Sequence, residues 1–154
     1  MVAARDGTHR RRLSRASADA QWGSNGQIAF IRVDRRSGES SIYAINSTGG
    51  RATRISRGDD LDPNWSPDGR RIAFSRGLED SSIIVAKANG RSPRVVKRNA
   101  SRPVWSADGR MIAFRAAGGL AVMRPDGSGE RVLVSAASVG EEVLYPLDWQ
   151  ARRR

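Results

Sequence analysis

Hydrophobic positions in this chain occur as short runs separated by clusters of Gly, Pro, Asn and Asp. Between residues 62 and 98 the runs span 62–66, 71–76, 82–87 and 94–98. These runs are rich in β-branched and aromatic residues, and few apolar residues recur at helical spacing outside the segment around 135–144. The pattern therefore predicts four short β-strands in this stretch and an all-β fold for the chain.

The same pattern recurs with a period of 40 to 44 residues. Four tryptophans mark it, the last of which is Trp149. The first three are each followed eight or nine residues later by a phenylalanine, in the pairs Trp22 and Phe30, Trp65 and Phe74, and Trp105 and Phe114. The tripeptide Ile-Ala-Phe is identical in all three copies. Four antiparallel strands per unit of this length are typical of a β-propeller blade. The predicted blade repeats are 22–64, 65–104 and 105–148, with the end of a preceding blade in 1–21 and the start of another in 149–154.

One copy of the repeat carries a resemblance to a known family. The residues from Pro63 to Ser75 read Pro-Asn-Trp-Ser-Pro-Asp-Gly-Arg-Arg-Ile-Ala-Phe-Ser, and Ala-Asn-Gly follows at 88–90. This motif resembles the WD40-like repeat of TolB-like β-propellers and of the propeller domains of prolyl oligopeptidase relatives. The resemblance covers nearly the whole chain and implies a ring, usually of six blades, that acts as an interaction platform outside the cytoplasm.

The number of repeats is small for a closed ring. Propellers typically contain 4 to 8 blades, whereas the 154 residues hold about three complete blades and two partial ones. The partial blades rest on expected strands at 2–5, 11–14 and 145–149. This shortfall favours a fragment of a six- to eight-bladed ring. Strained closure of four blades and a homodimer of two half-rings remain open as alternatives.

Composition limits the chemistry that the chain can perform. It contains no cysteine, which excludes disulfide scaffolds, thiolate zinc sites and cysteine nucleophiles. His9 is the only histidine, and the Gly-x-Ser-x-Gly motif of hydrolases is missing. The acidic residues at 59–62 lack the spacing of a calcium loop. We therefore expect no catalytic residues, no cofactor and no metal site.

The apolar runs are also too short for insertion into a membrane. The longest uninterrupted runs are about four residues, far below the roughly 20 that a transmembrane helix requires. The N-terminus has a basic stretch but no apolar segment typical of a secretory signal. As given, the chain is expected in the cytoplasm. The family resemblance instead implies a periplasmic or other extracytoplasmic location if the N-terminus is truncated.

A net charge of +11, from 27 Lys and Arg against 16 Asp and Glu, raises the question of nucleic-acid binding. Outside the termini the arginines recur once or twice per hairpin, as on solvated blade faces. The tryptophans could stack bases, but their fixed position in each repeat favours packing between blades. We therefore expect a protein partner rather than a nucleic acid.

The loops between the second and third strands differ in length from repeat to repeat. Variable loops on a rigid scaffold commonly carry recognition, and in a propeller these loops share a face with the connections between blades. This face also presents Arg35, Arg36 and Glu39. The residues predicted to bind a partner are Asp19, Asp59, Asp60, Asp62, Glu79, Asp80 and Arg102.

These observations predict a non-catalytic TolB-like propeller that serves as a scaffold for protein–protein interaction. One alternative is the accessory propeller of a prolyl-oligopeptidase-like hydrolase whose catalytic domain is not in this chain. A third hypothesis is that the chain is a basic protein that binds nucleic acid.

Overall fold

The computed structural model describes residues 18–135 and Ala137. Several predictions fall outside this part of the chain, namely His9 and the strands at 2–5, 11–14 and 145–149. The described residues form three antiparallel sheets of four strands each. The prediction of an all-β fold built from four-stranded antiparallel units is therefore confirmed.

Each sheet is a meander in which the strands lie in the order of the sequence. The first sheet contains β1 (Ala18–Trp22), β2 (Gln27–Val33), β3 (Ser40–Asn46) and β4 (Thr53–Arg54). The second contains β5 (Asp60–Trp65), β6 (Arg71–Arg76), β7 (Ser82–Lys87) and β8 (Arg94–Arg98). The third contains β9 (Ala100–Trp105), β10 (Ile112–Ala116), β11 (Gly119–Met123) and β12 (Arg131–Ser135).

The three sheets pack face to face along the chain. Strand β5 packs against β1, β2 and β3 of the first sheet, and β9 packs against β5, β6 and β7 of the second. The middle sheet is therefore covered on both faces, and its two central strands β6 and β7 are nearly continuous buried runs, as expected for strands buried on both sides. We refer to the three sheets as blades 1, 2 and 3.

The repeated Ile-Ala-Phe tripeptide places buried side chains on both faces of the second strand of each blade. In β6, Ile72 and Phe74 pack into the core between blades 1 and 2, while Ala73 packs into the core between blades 2 and 3. All three side chains are at most 1% exposed. Because successive side chains on a strand point to opposite faces, a large–small–large triplet fills one interface with bulk and lets the next blade approach closely.

Two of the tryptophans occupy the interfaces between blades. Trp65 belongs to the core between blades 1 and 2, and Trp105 to the core between blades 2 and 3, where they are 6% and 4% exposed. The prediction that they pack between blades is confirmed for these two residues. Trp22, the equivalent residue of blade 1, is 60% exposed.

The hairpin turns also hold neighbouring blades together. Gly90, in the turn between β7 and β8, has a φ of 79°, and a Cβ atom added there would collide with the carbonyl oxygen of Ile55 in blade 1. Gly127, in the matching turn of blade 3, lies in the same way against the carbonyl oxygen of Val96. Glycine is therefore needed twice over at these turns, for the left-handed backbone and for the close approach of the next blade.

Candidate partner-binding surface

The first strand of each blade (β1, β5 and β9), which packs against the first strand of the neighbouring blade, is irregular at the same position. We call these three the inner strands. The register of each with its partner strand shifts between Ala18 and Gln21 in β1 and at the matching places in β5 and β9. The residue three positions before the tryptophan has a left-handed backbone in all three strands: Asp19 with a φ of 47°, Asp62 with 51° and Arg102 with 56°. Left-handed backbone is uncommon outside glycine, and bulges of this kind re-aim side chains at functional edges of a sheet.

These irregular positions meet in one cleft. Asp19, Asp62 and Arg102, together with the two residues that follow each of them, line a cavity of about 290 Å³. Three of the seven predicted partner-binding residues are thus brought together, each from a different blade. We call this cavity the inner-strand cleft. Two aspartates, from blades 1 and 2, and one arginine, from blade 3, contribute to its lining.

Hydrogen bonds fix the cleft walls across the boundary between blades 2 and 3. The hydroxyl of Ser75, on β6, donates to Oδ2 of Asp62 at 2.8 Å and accepts from the backbone N–H of Arg102 at 2.8 Å. Nearby, the side-chain oxygen of Asn64 accepts from the backbone N–H of Trp105 at 2.9 Å. The positions of Asp62 and Arg102 are therefore set by the packing of the blades and not by the loops.

Asp60 has a different environment from its neighbours in sequence. It is fully buried, and its carboxylate accepts two hydrogen bonds from the guanidinium of Arg76, at 2.7 Å from Nε and 3.1 Å from Nη2. This interaction raises the pKa of Arg76, chiefly through the hydrogen bond. Asp60 joins the first and second strands of blade 2 and does not line the inner-strand cleft.

The other predicted residues lie apart from the cleft. Asp59 accepts a hydrogen bond at 3.2 Å from the backbone N–H of Ser40, which ties the connection before β5 to blade 1. Glu79 and Asp80 line a separate cavity of about 370 Å³ between blades 2 and 3, to which Arg115 also contributes.

The longest loop between second and third strands belongs to blade 1. Within it, Asp34 accepts hydrogen bonds from the backbone N–H groups of Arg36, at 2.8 Å, and Ser37, at 3.0 Å. These bonds, the one from Ser37 foremost, lower the pKa of Asp34. Arg35, Arg36 and Glu39 are exposed along this loop.

Sequence reasoning did not identify the roles of Ser75, Asn64 and Arg76. The available signal was position, because the residues three places before the first three tryptophans are Asp19, Asp62 and Arg102. This count sets them apart from Asp59 and Asp60. Residues 18–135 contain no group of three or more His, Asp or Glu side chains placed to hold a metal ion. Within the same residues, no helix has the length and apolar character needed to cross a membrane.

Comparison with known proteins agrees with this architecture. No family model matches the chain. A segment of 65 residues, 41% of the chain, is 38% identical to the Protein TolB homolog of Chlorobium luteolum, of which it covers 14%. The resemblance to TolB-like proteins noted in the sequence is thus found independently.

Solved structures show the same fold. The chain is similar to a putative TolB from Agrobacterium tumefaciens, with a TM-score of 0.64 and 22% identity, over 77% of this chain and 46% of that one. It is also similar to the β-propeller domain of the trilobed protease from Pyrococcus furiosus, with a TM-score of 0.56 and 19% identity, over 75% and 42%. The fold is that of a β-propeller, and the chain spans less than half the length of these proteins.

Proposed function

We propose that this chain is a non-catalytic scaffold that binds a protein partner at the inner-strand cleft. The observation that carries the proposal is the left-handed bulge repeated in three blades, which brings Asp19, Asp62 and Arg102 to one cavity. Strained backbone at equivalent positions persists only where the surrounding structure enforces it, and it clusters at functional sites.

The charge arrangement of the cleft suits a polypeptide ligand. Two aspartates and one arginine line it, so a segment carrying both a basic and an acidic side chain would find an oppositely charged residue for each. Gln21 adds an amide group that can donate to and accept from a peptide backbone, and Asn64, whose oxygen already accepts from Trp105, adds an amide donor. Electrostatic complementarity of this kind contributes mainly to specificity and to the rate of association.

The experiment that tests the proposal is a comparative capture. The immobilised protein is exposed to extract, cross-linked and analysed by mass spectrometry, alongside a variant with Asp19→Asn, Asp62→Asn and Arg102→Gln. Asparagine keeps the shape of aspartate and tolerates a left-handed backbone. A control changes Glu130→Gln and Arg110→Gln, one acidic and one basic residue that lie away from the cleft. A partner retained by the wild type and the control but lost by the cleft variant supports the proposal. Equal capture by all three proteins would refute it.

A second candidate is the accessory propeller of a hydrolase. The structural likeness to the propeller domain of a protease favours it. An α/β-hydrolase pattern with Gly-x-Ser-x-Gly encoded beside this chain would support this role. A lipoprotein or secretion signal encoded upstream would favour the scaffold.

The net charge of +11 keeps nucleic-acid binding as a third candidate. It predicts affinity for a DNA duplex that falls steeply with added salt. A flat response between about 50 and 200 mM salt would exclude it.

A further inference from the structure

A cavity at the outer boundary of blades 1 and 2 is lined by three arginines. It has a volume of about 310 Å³ and lies beside β4, which is only two residues long. Arg54 ends β4, Arg57 follows in the connection to blade 2, and Arg76 ends β6. A volume of this size is at the lower end of the range of about 300–1,000 Å³ for small-molecule sites.

Two of the guanidinium groups are held in place by the protein. Arg54 donates from Nε to the carbonyl oxygen of Ser56, at 2.8 Å, and from Nη2 to the hydroxyl of Ser41, at 2.6 Å. Both serines are buried. Arg76 is oriented by its two hydrogen bonds to Asp60. Each guanidinium has five N–H donors, so each of these two retains donors for a ligand in a geometry that is set before the ligand arrives.

The third arginine is differently placed. Arg57 is exposed and makes no ion pair or side-chain hydrogen bond with the described residues. It can therefore close over a ligand without breaking an existing contact. The remaining lining includes Ile55, Phe74 and Pro93, which give the cavity apolar walls.

Positive charge exceeds negative charge at this cavity. Among the residues that the structure describes, no Asp or Glu lines it. Asp60 is fully buried and already engaged by Arg76. Asp34 is close enough for Arg54 to contribute to the lowering of its pKa, after the hydrogen bonds from Ser37 and Arg36. The cavity therefore offers an anion three guanidiniums, of which that of Arg76 is already paired with the buried Asp60.

We propose that this cavity binds a small anion that carries a phosphate group. The two-pronged N–H donors of a guanidinium match a pair of phosphate oxygens. A phosphate also carries about −1.5 to −2 charge at neutral pH, which is a larger negative charge than that of a carboxylate. The apolar walls can accept the organic body of a phosphomonoester, so the phosphate can be free or esterified. This site is separate from the inner-strand cleft, and the two can be tested independently.

The test uses calorimetric titration of the full chain at constant ionic strength with two probes, inorganic phosphate and phenyl phosphate. Saturable binding of at least one probe is expected, with the amide NMR signals of Arg57 and Gly90 shifting during the titration. Tighter binding of phenyl phosphate would identify a monoester site, and equal or tighter binding of inorganic phosphate a site for the free ion.

Variants locate the binding. Arg57→Gln should weaken it by about 10-fold or more, as expected for the loss of a charge-assisted hydrogen bond. Arg110→Gln removes an exposed arginine from the turn between β9 and β10 and should leave it unchanged. The proposal fails if neither probe saturates, if Arg57→Gln binds as tightly as the wild type, or if Arg110→Gln weakens binding equally.

Discussion

Ser75 and Asp62 form the hydrogen bond that links the middle of blade 2 to the inner-strand cleft. The Ser75 hydroxyl donates to Asp62 at 2.8 Å and accepts from the N–H of Arg102 in blade 3. One buried hydroxyl, 1% exposed as a residue, thus satisfies groups on two blades. The cleft and the boundary between blades 2 and 3 are therefore built from the same interaction.

Ser75→Ala should destabilise the protein by about 1–3 kcal/mol, because it removes a partner from two polar groups near the blade boundary. Chemical denaturation monitored by tryptophan fluorescence measures this loss. Ser47→Ala is the control, since within residues 18–135 the Ser47 hydroxyl makes no hydrogen bond across the blade boundary. Equal stability of the two variants would mean that Ser75 does not join the blades.

Gly90→Ala should be more damaging than Gly26→Ala, although the two glycines have nearly the same φ, 79° and 73°. A Cβ at Gly26 has no atom within 4 Å, so alanine there meets only the left-handed backbone penalty, about 1–2 kcal/mol. At Gly90 the new methyl group collides with the Ile55 carbonyl, which should add about 1–3 kcal/mol. Similar melting temperatures for both variants would contradict this close approach.

Removing the two partners of the Asp60–Arg76 pair should have unequal effects. Arg76→Ala leaves a fully buried carboxylate without its cation, which should cost about 3–5 kcal/mol. Asp60→Ala should cost less, because the Arg76 side chain is 39% exposed and can reach water. Denaturation of both variants and of the double variant measures the two losses and their coupling. A greater loss for Asp60→Ala would contradict the unequal burial of the two side chains.

Acid should weaken the fold partly through two equivalent turns. The Ser66 hydroxyl and the N–H of Arg70 lower the pKa of Asp68, and the Ser106 hydroxyl and the N–H of Arg110 do the same for Asp108. Because the pKa of each carboxyl is lower in the folded than in the unfolded state, its contribution is complete above the ordinary value of 3.8 and is lost as pH falls below it.

An Asp68→Asn, Asp108→Asn double variant should therefore lose less stability than the wild type between about pH 4 and pH 2. Denaturation midpoints measured across this range provide the comparison. Parallel pH profiles would show that these two turns do not contribute to the acid sensitivity.

The sequence predicted the blades well because their determinants are local and repeated. In blade 2 the expected strands 71–76, 82–87 and 94–98 coincide with β6, β7 and β8, since turn residues and apolar runs mark both ends of each. Strand β5 begins at Asp60, two residues before the expected start. The acidic character of Asp60 suggests a loop, but its side chain is buried and held by Arg76.

The site was less predictable, since it depends on contacts between blades. Asp19, Asp62 and Arg102 share a backbone conformation but not a residue type, so a comparison of side chains does not group them. Asp60 is one of several acidic residues in its segment, and only the position of Arg76, 16 residues later, distinguishes it. Long-range pairs of this kind carry no local signature.

The most direct test of the account is the affinity of the captured partner, once purified, for the wild type and for single variants of the cleft. Calorimetry with Asp62→Asn and Arg102→Gln should show each weakening binding by about 10-fold, the effect of losing a charged contact. Glu130→Gln should bind as the wild type does. Unchanged affinity in both cleft variants, with the fold intact, would contradict the assignment of the inner-strand cleft as the binding surface.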